Sequence, residues 1–245
     1  MNQVIILAAG KGRRMKSETP KVLVKLHGQA MIEYLIKSVL AASLNGRPLI
    51  MTAPDNQEII KAALGNYDLE YGLQLDTKGT GDAVACARKF IPADRQNIIV
   101  LYGDHPFIKP QTLKDLVAAH RGPLTMMTTR VKDFDDWRQN FYHWGRIVRA
   151  GDQIKEIVEY KDANDEQREI KEVNPALYCF DAAWLWSHID LLTDGNQQGE
   201  YYLTDLVKIA TAENCPINHL EIDPREAMGV NTAAELAVAE GLLQD

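Results

Sequence analysis

Hydrophobic residues in the first half of the chain follow two alternating patterns. Short unbroken apolar runs at residues 4–8, 48–52 and 97–102 read as strands buried on both faces. Residues 31–42, 57–64, 81–90 and 112–120 carry apolar side chains at helical spacing and read as helices. Strand and helix in regular turn predict an α/β fold built on a doubly wound, mainly parallel sheet. The second half changes character. Residues 124–131, 145–150, 153–159 and 172–180 read as strands, with Arg149-Ala150-Gly151-Asp152 as a turn between two of them. Residues 162–169 read as a charged, solvated connection, and 201–211 and 233–243 as late helices. There is no internal repeat, low-complexity segment or linker rich in Pro, Gly or Ser. A single domain is therefore expected, with a parallel-sheet lobe over residues 1–105, a β-rich lobe over 106–230 and a C-terminal helix over 231–245.

Composition narrows the class without naming it. Of 245 residues, 46% are apolar and 25% charged, as in an ordinary globular protein with a sizeable core. A net charge of −7 argues against a nucleic-acid partner. No apolar stretch approaches the ~20 residues of a membrane span, and the N-terminus runs straight into a strand without a signal-peptide pattern. Cys86, Cys179 and Cys215 are scattered and form no CxxC pair, as reduced core thiols do, so a cytoplasmic setting is expected.

Chemistry concentrates where the first strand ends. Leu7, Ala8, Ala9 and Gly10 pass into a loop containing Gly12 and the positive charges Lys11, Arg13 and Arg14, with Pro20-Lys21 shortly after. Small residues and glycines let a backbone approach an anion, and their N–H groups can turn inward onto phosphate oxygens. The loop is neither a Walker A sequence nor a G-x-G-x-x-G dinucleotide fingerprint. It reads L-A-A-G-x-G-x-R-M, then five residues, then Lys21. Asp104 ends the apolar run Ile98-Ile99-Val100-Leu101 after Tyr102 and Gly103. In an open α/β sheet that is where ligands bind, and a carboxylate facing a phosphate loop suits Mg²⁺. The competing reading is a helix cap or turn. Gln74 and the run Lys78-Gly79-Thr80-Gly81 form a second cluster, in which Gln74 offers a donor and an acceptor to a pyrimidine edge and Thr80 is a candidate N-cap. His105 reads as structural or solvent-facing. Trp137, Trp184 and Trp186 read as packing residues, with Trp144 the one possible exception.

The sequence resembles the uridylyltransferase domain of the bifunctional N-acetylglucosamine-1-phosphate uridylyltransferase/glucosamine-1-phosphate acetyltransferase family over nearly its whole length. The matching stretches begin with Leu7-Ala8-Ala9-Gly10-Lys11-Gly12, Arg14-Met15 and Pro20-Lys21-Val22-Leu23. They continue through Gly79-Thr80-Gly81, Leu101-Tyr102-Gly103-Asp104, Gly145-Arg146-Ile147, Ile157-Val158-Glu159 and Asp165-Glu166-Gln167-Arg168. They close with Gly199-Glu200-Tyr201-Tyr202-Leu203-Thr204-Asp205 and Gly229-Val230-Asn231. The resemblance implies a Rossmann-like nucleotidyltransferase fold with a nucleotide-binding lobe and a β-rich sugar-binding lobe. It implies that Leu7, Ala8, Ala9 and Gly10 hold the nucleotide of UTP, with Arg14 and Lys21 as catalytic cations on the triphosphate. Gln74, Gly79 and Thr80 would serve the uracil, and Tyr102 and Gly103 would line the site. Asp104 and Asn231 would hold Mg²⁺, and Gly145, Glu159 and Asn174 would contact a sugar 1-phosphate. The run 199–205 would order the sugar lobe rather than do chemistry.

Three departures from the family pattern stand out. Arg13 replaces the usual Thr, His143-Trp144-Gly145 replaces Gly-Tyr-Gly, and Asn174-Pro175-Ala176 replaces Asn-Thr-Gly. The last two fall beside expected sugar contacts, so an altered choice of sugar is an open expectation. The hexapeptide repeats of the acetyltransferase half are missing, so no acetyltransferase activity is expected, and the oligomeric state is left open. The alternatives are a transferase of the same fold for another sugar 1-phosphate or nucleotide, and a non-catalytic sugar-nucleotide sensor.

Overall fold

A computed structural model describes residues 1–10, Met15, 19–44 and 46–243. Its elements follow in chain order. The first lobe contains β1 (Asn2–Leu7), β2 (Lys25–Leu26), β3 (Gln29–Ala30), α1 (Met31–Ala42), β4 (Leu49–Thr52) and α2 (Gln57–Ala63). Next come β5 (Glu70–Leu73), α3 (Thr80–Ala87), β6 (Asn97–Tyr102) and α4 (Pro110–Ala119). The β-rich part has β7 (Leu124–Arg130), β8 (Arg146–Ala150), β9 (Gln153–Val158), α5 (Asp165–Arg168), β10 (Glu172–Val173) and β11 (Tyr178–Asp181). The chain closes through α6 (Ala182–His188), α7 (Asp205–Ala212), β12 (Ile217–Glu221), α8 (Pro224–Ala227) and α9 (Ala233–Leu242).

Ten strands form one sheet in the order β5-β4-β1-β6-β11-β7-β10-β8-β9, with β12 also paired to β7. The strands β5, β4, β1 and β6 are mutually parallel, and β12 is parallel to β7. In contrast, β11 runs antiparallel between β6 and β7, and the β7–β10–β8–β9 end is antiparallel throughout. The expected doubly wound, mainly parallel sheet is therefore present, extended by an antiparallel wing.

Alternation along β1 explains why its residues form an unbroken apolar run. Val4 and Ile6 face one core with Ile32, Leu35, Ile36 and Val39 of α1 and Leu113 and Leu116 of α4. Ile5 faces the other, with Val84 and Ala87 of α3, Leu185 of α6 and Leu206 and Val207 of α7. Successive strand side chains point to opposite faces, so a strand covered by helices on both sides has no polar position to spare. Each Leu, Ile or Val so buried contributes about 1.5–3 kcal/mol. A third cluster joins Leu26, Met31, Phe141, Val173, Met228, Val230 and Ala239, and packs α9 beneath the loop that precedes β8.

The structure revises several expected elements. The strand expected over 172–180 is two, because the ladder is interrupted at Pro175 and Ala176, where Ala176 adopts φ 57°. The helix expected from 201 starts at Asp205, since the backbone of Tyr201 is committed to Lys78 and Gly81. The charged connection at 162–169 contains α5, capped by Asn164, whose side chain accepts from Gln167 N while Gln167 Oε1 accepts from Asn164 N. The strands β5 and β12 were not legible: β5 is interrupted by Gly72, where a Cβ would lie 3.0 Å from the Phe90 ring, and β12 is polar at Asn218 and His219. Cys179 is buried in β11 and its thiol pKa is pushed up to about 12 by burial, as suits a core filler. Among the described residues no helix is long and apolar enough to cross a membrane.

Candidate functional site

The strands β1 and β6 lie side by side with Leu7 opposite Tyr102, while β4 flanks β1 on its other edge. Connections leave the sheet in both directions here, and a crevice opens beyond the carboxyl ends of the strands. Its floor is the chain leaving β1. Ala8 and Ala9 are buried, Ala8 N donates to Met51 O at 2.8 Å, and Asn56 Nδ2 donates to Ala8 O at 3.1 Å. Among the described residues, nothing lies within 4 Å of where a side chain on Gly10 would start. Arg14, expected on the triphosphate, lies outside the described residues.

Opposite the floor, Gly103 N donates to Leu7 O at 3.0 Å, and a Cβ on Gly103 would come within 3.0 Å of Val22. This close approach brings Asp104 to Lys21, which sits at the start of a short 3-10 turn anchored by buried Val22 and Leu23. The Lys21 ammonium donates to Asp104 Oδ2 and, at 2.9 Å, to Asn231 Oδ1. Three segments far apart in sequence thus meet on one cation. Asn231 is fixed in turn: its N–H donates to Glu235, Thr232 caps α9, and Val230 N donates to Asp104 O at 2.9 Å. Burial works against ionisation of Asp104, but Lys21 and His105 hold its pKa well below the usual carboxylate range. Two oxygen donors, one of them charged, converge on a positive group, which is the donor set that Mg²⁺ accepts.

The side wall carries Gln74, Gly79 and Thr80. Gln74 is 3% exposed, and its amide nitrogen donates to Gly79 O at 3.0 Å and to Asp82 Oδ2 at 2.6 Å. Both amide hydrogens are thereby used, and the side chain offers its Oε1 acceptor rather than the donor–acceptor pair expected. The cap of α3 is Gly79, not Thr80: Gly79 has φ 111°, and a Cβ there would lie 2.6 Å from Tyr201 O. Thr80 Oγ1 instead accepts from Leu203 N at 3.1 Å. Together with Gly81 N to Tyr201 O and Tyr201 N to Lys78 O, both 2.8 Å, this zips the Gly79 segment to residues 201–203. Leu7, Ala8, Ala9, Gly10, Lys21, Gln74, Gly79, Thr80, Tyr102 and Asp104 all line one cleft of about 610 Å³.

Gly145, Glu159 and Asn174 form a neighbouring cluster. A Cβ on Gly145 would lie 2.9 Å from Ile157 and 3.4 Å from Glu159 Oε1, and Gly145 O accepts from Asn174 N at 2.9 Å. Thr204 Oγ1 donates to Glu159 Oε1 at 3.1 Å. Burial, with Asp205, Asp162 and Glu200 nearby, raises the Glu159 pKa to about 7 in spite of that bond. Glu159 also lines an adjoining pocket of about 400 Å³ with Tyr202 and Asp205. Asn174 donates to Tyr178 OH at 2.6 Å, and its Oδ1 accepts from Ala176 N at 3.0 Å. The loop leading to Gly145 is held by Arg146, a fully buried guanidinium that donates to Trp144 O, Tyr142 O (2.7 Å) and Arg168 O (3.2 Å) beneath the Phe134 ring.

Thr204 and Tyr201 were expected only to order the sugar lobe. Tyr201 is bonded to the Gly79 segment and Thr204 to Glu159, contacts that no local sequence signal announces. Of the two readings of His105, structural or solvent-facing, the second does not hold: the ring is buried against Asp104. Trp144 packs on Phe141 and His105, not on an open surface.

Residues 4–199 match the model of the MobA-like NTP transferase domain. The chain is 37% identical over 244 residues to the bifunctional protein GlmU of Clostridium perfringens, covering 98% of this chain and 52% of that protein. It is 38% identical over 248 residues to bifunctional GlmU of Clostridium kluyveri and 39% over 241 residues to that of Paramagnetospirillum magneticum. The chain spans about half the length of these curated relatives. A crystal structure from Bacillus anthracis, assigned as a glucose-1-phosphate thymidylyltransferase and holding sucrose, superimposes with TM-score 0.78 at 19% identity over 100% of this chain and 96% of that one. That likeness concerns the fold alone. By its sequence, this chain belongs to the MobA-like NTP transferase domain family and is a nucleotidyltransferase.

Proposed function

We propose that this chain joins UTP to N-acetylglucosamine 1-phosphate, forming UDP-N-acetylglucosamine and pyrophosphate. The observation that carries the reading is the convergence of Lys21, Asp104 and Asn231 at the mouth of a cleft floored by Leu7 to Gly10. A phosphate oxygen of the sugar 1-phosphate attacks the α-phosphorus of UTP in line. The bond from that phosphorus to the bridging oxygen breaks, and pyrophosphate leaves with its electron pair. The attacking oxygen is already anionic, so no protein nucleophile or base is needed. Catalysis is then positioning and charge neutralisation.

Asp104 and Asn231 are the residues that would hold Mg²⁺. The ion, when bound, neutralises triphosphate charge and favours the leaving pyrophosphate. Lys21 holds its charge beside that position and can pass it to phosphate oxygens, with Arg14 as the second cation. Gln74 Oε1 is suited to accept the N3–H of uracil, its amide hydrogens being engaged elsewhere. Gly103 lets Tyr102 and Asp104 approach the floor of the cleft. The Glu159 carboxylate accepts sugar hydroxyl hydrogens, Gly145 keeps space beside it, and Asn174 borders the same cluster. On this reading residues 1–105 handle the nucleotide, 106–230 the sugar, and 231–245 bring Asn231 to the metal, in a cytoplasmic enzyme.

The relatives named above support N-acetylglucosamine as the sugar only through their GlmU designation. The conformation of Ala176 adds a structural reason. Ala176 adopts φ 57°, a left-handed backbone of the kind glycine takes up readily, so the Asn-Pro-Ala run is compatible with a turn that an Asn-Thr-Gly run could also form. Calorimetric titration with UTP, CTP, dTTP, ATP and GTP tests the nucleotide half of the proposal. UTP should bind most tightly in the presence of Mg²⁺, and a preference for a purine nucleotide would overturn it.

A further inference from the structure

His105 follows Asp104 and is 7% exposed. Its Nδ1 lies 2.8 Å from Asp104 Oδ1, while Lys21 engages the other oxygen, Oδ2. Asp104 is held ionised and has no hydrogen to give, so the imidazole must be the donor. The other ring nitrogen, Nε2, is buried without a hydrogen-bond partner among the described residues. The one ring nitrogen with a protein partner among the described residues, Nδ1, is directed at Asp104.

The surroundings fix the ring in that orientation. A Cβ on Gly229 would sit 3.0 Å from both Cε1 and Nε2, so nothing larger than glycine fits unless the ring gives way by a few tenths of an ångström. Trp144 packs on the ring with centroids 5.5 Å apart, and Tyr102 meets it edge-on at 6.1 Å. The segment that supplies Asn231 thus also backs the histidine that steers Asp104.

We propose that His105 is a positioning residue for the cation site, donating from Nδ1 to Asp104 Oδ1 so that Oδ2 is presented to the position it shares with Asn231. The proposal rests on the Asp104–Asn231 pair being the metal site of the reading above. Hydrogen-bond partners of metal-bound carboxylates typically change metal affinity by about 10–100-fold when removed.

The test compares His105→Phe, which keeps a ring but has no donor, with His105→Asn, whose amide N–H lies near the Nδ1 position. Mn²⁺ binding in the presence of UTP is read by electron paramagnetic resonance, alongside the Mg²⁺ concentration for half-maximal pyrophosphate release. His105→Phe should bind Mn²⁺ about tenfold more weakly and need about tenfold more Mg²⁺, with the KM for sugar phosphate unchanged. His105→Asn should stay near the wild type. Wild-type Mn²⁺ affinity in His105→Phe, or an equal defect in His105→Asn, would overturn the proposal. If His105→Phe fails to fold, Gly229→Ala supplies the reading, because it pushes the ring yet removes no polar side chain. It should weaken Mn²⁺ binding likewise, and unchanged binding would overturn the proposal. A wild-type protein with no Mg²⁺-dependent turnover would instead sink the functional reading beneath it.

Discussion

Lys21 and Asp104 stand 83 residues apart in sequence and share a direct ion pair in the lining of the cleft beyond β1 and β6. Both side chains are largely shielded from water, which strengthens their attraction and also makes each costly to leave unpaired. Asn231 accepts from the same ammonium, so the three side chains proposed to serve the cation and the triphosphate are already held together. Electrostatic preorganisation of this kind is where a nucleotidyl transfer without a protein nucleophile gains most of its rate.

Loss of Lys21 should therefore be severe. Lys21→Ala and Asp104→Ala should each lower kcat by roughly 100-fold, about 3 kcal/mol of transition-state stabilisation. Steady-state pyrophosphate release measures this. Turnover near the wild-type rate in either variant would remove the residue from the mechanism.

Glu159 gives the site a pH signature. Its pKa stands near 7 because burial disfavours the charged form, the reverse of the Asp104 case. A carboxyl whose folded pKa is raised favours the folded state while protonated, so stability should fall as pH rises from the unfolded value of 4.5 through about 7. Sugar binding should move the other way. The ionised fraction rises about tenfold from pH 6 to pH 8, and the KM for sugar phosphate should fall by a similar factor. Glu159→Gln should abolish most of that dependence, since any residual slope belongs to the substrate phosphate. An identical pH profile in the variant would exclude Glu159 as the hydroxyl acceptor.

Ala176 carries backbone strain. At φ 57° a residue with a Cβ costs roughly 1–2 kcal/mol, and glycine relieves it. Glycine also gains about 0.4–1 kcal/mol of unfolded-chain freedom, which offsets part of the relief. Ala176→Gly should thus raise the midpoint of thermal unfolding by about 2–3 °C. The same change at exposed Ala118, inside α4, should lower stability by about 1 kcal/mol. Equal destabilisation at both positions would contradict the strain reading.

How much of this was legible in the sequence varied with the range of the interactions. The run Val4 to Leu7 and the stripe of α1 could be read directly, since burial on both faces or one face imposes its own period. Gly10, Gln74, Gly79, Tyr102 and Asp104 were marked by local chemistry at strand or helix ends and Leu7 by the family resemblance, and they do share one cleft. The partner of Lys21 was not legible, because nothing near residue 21 encodes the approach of Asn231. Thr204 was passed over for the same reason: its hydroxyl matters only once α7 and β9 bring it to Glu159. Thr80 looked like a cap because its residue type suits one, but the positive φ required at that point falls to Gly79. Glu172 to Phe180 looked like one strand, since neither Pro175 nor Ala176 reveals that the Asn174 side chain closes a turn on Ala176 N.

The central claim is most directly tested by mixing the protein with Mg²⁺, UTP and, in turn, the 1-phosphates of N-acetylglucosamine, glucosamine, N-acetylgalactosamine and glucose, and following pyrophosphate release. The account predicts selective release with N-acetylglucosamine 1-phosphate. Selective release with another sugar would contradict the assignment of the sugar lobe around Gly145, Glu159 and Asn174, and silence across the whole panel while UTP still binds would contradict catalysis itself.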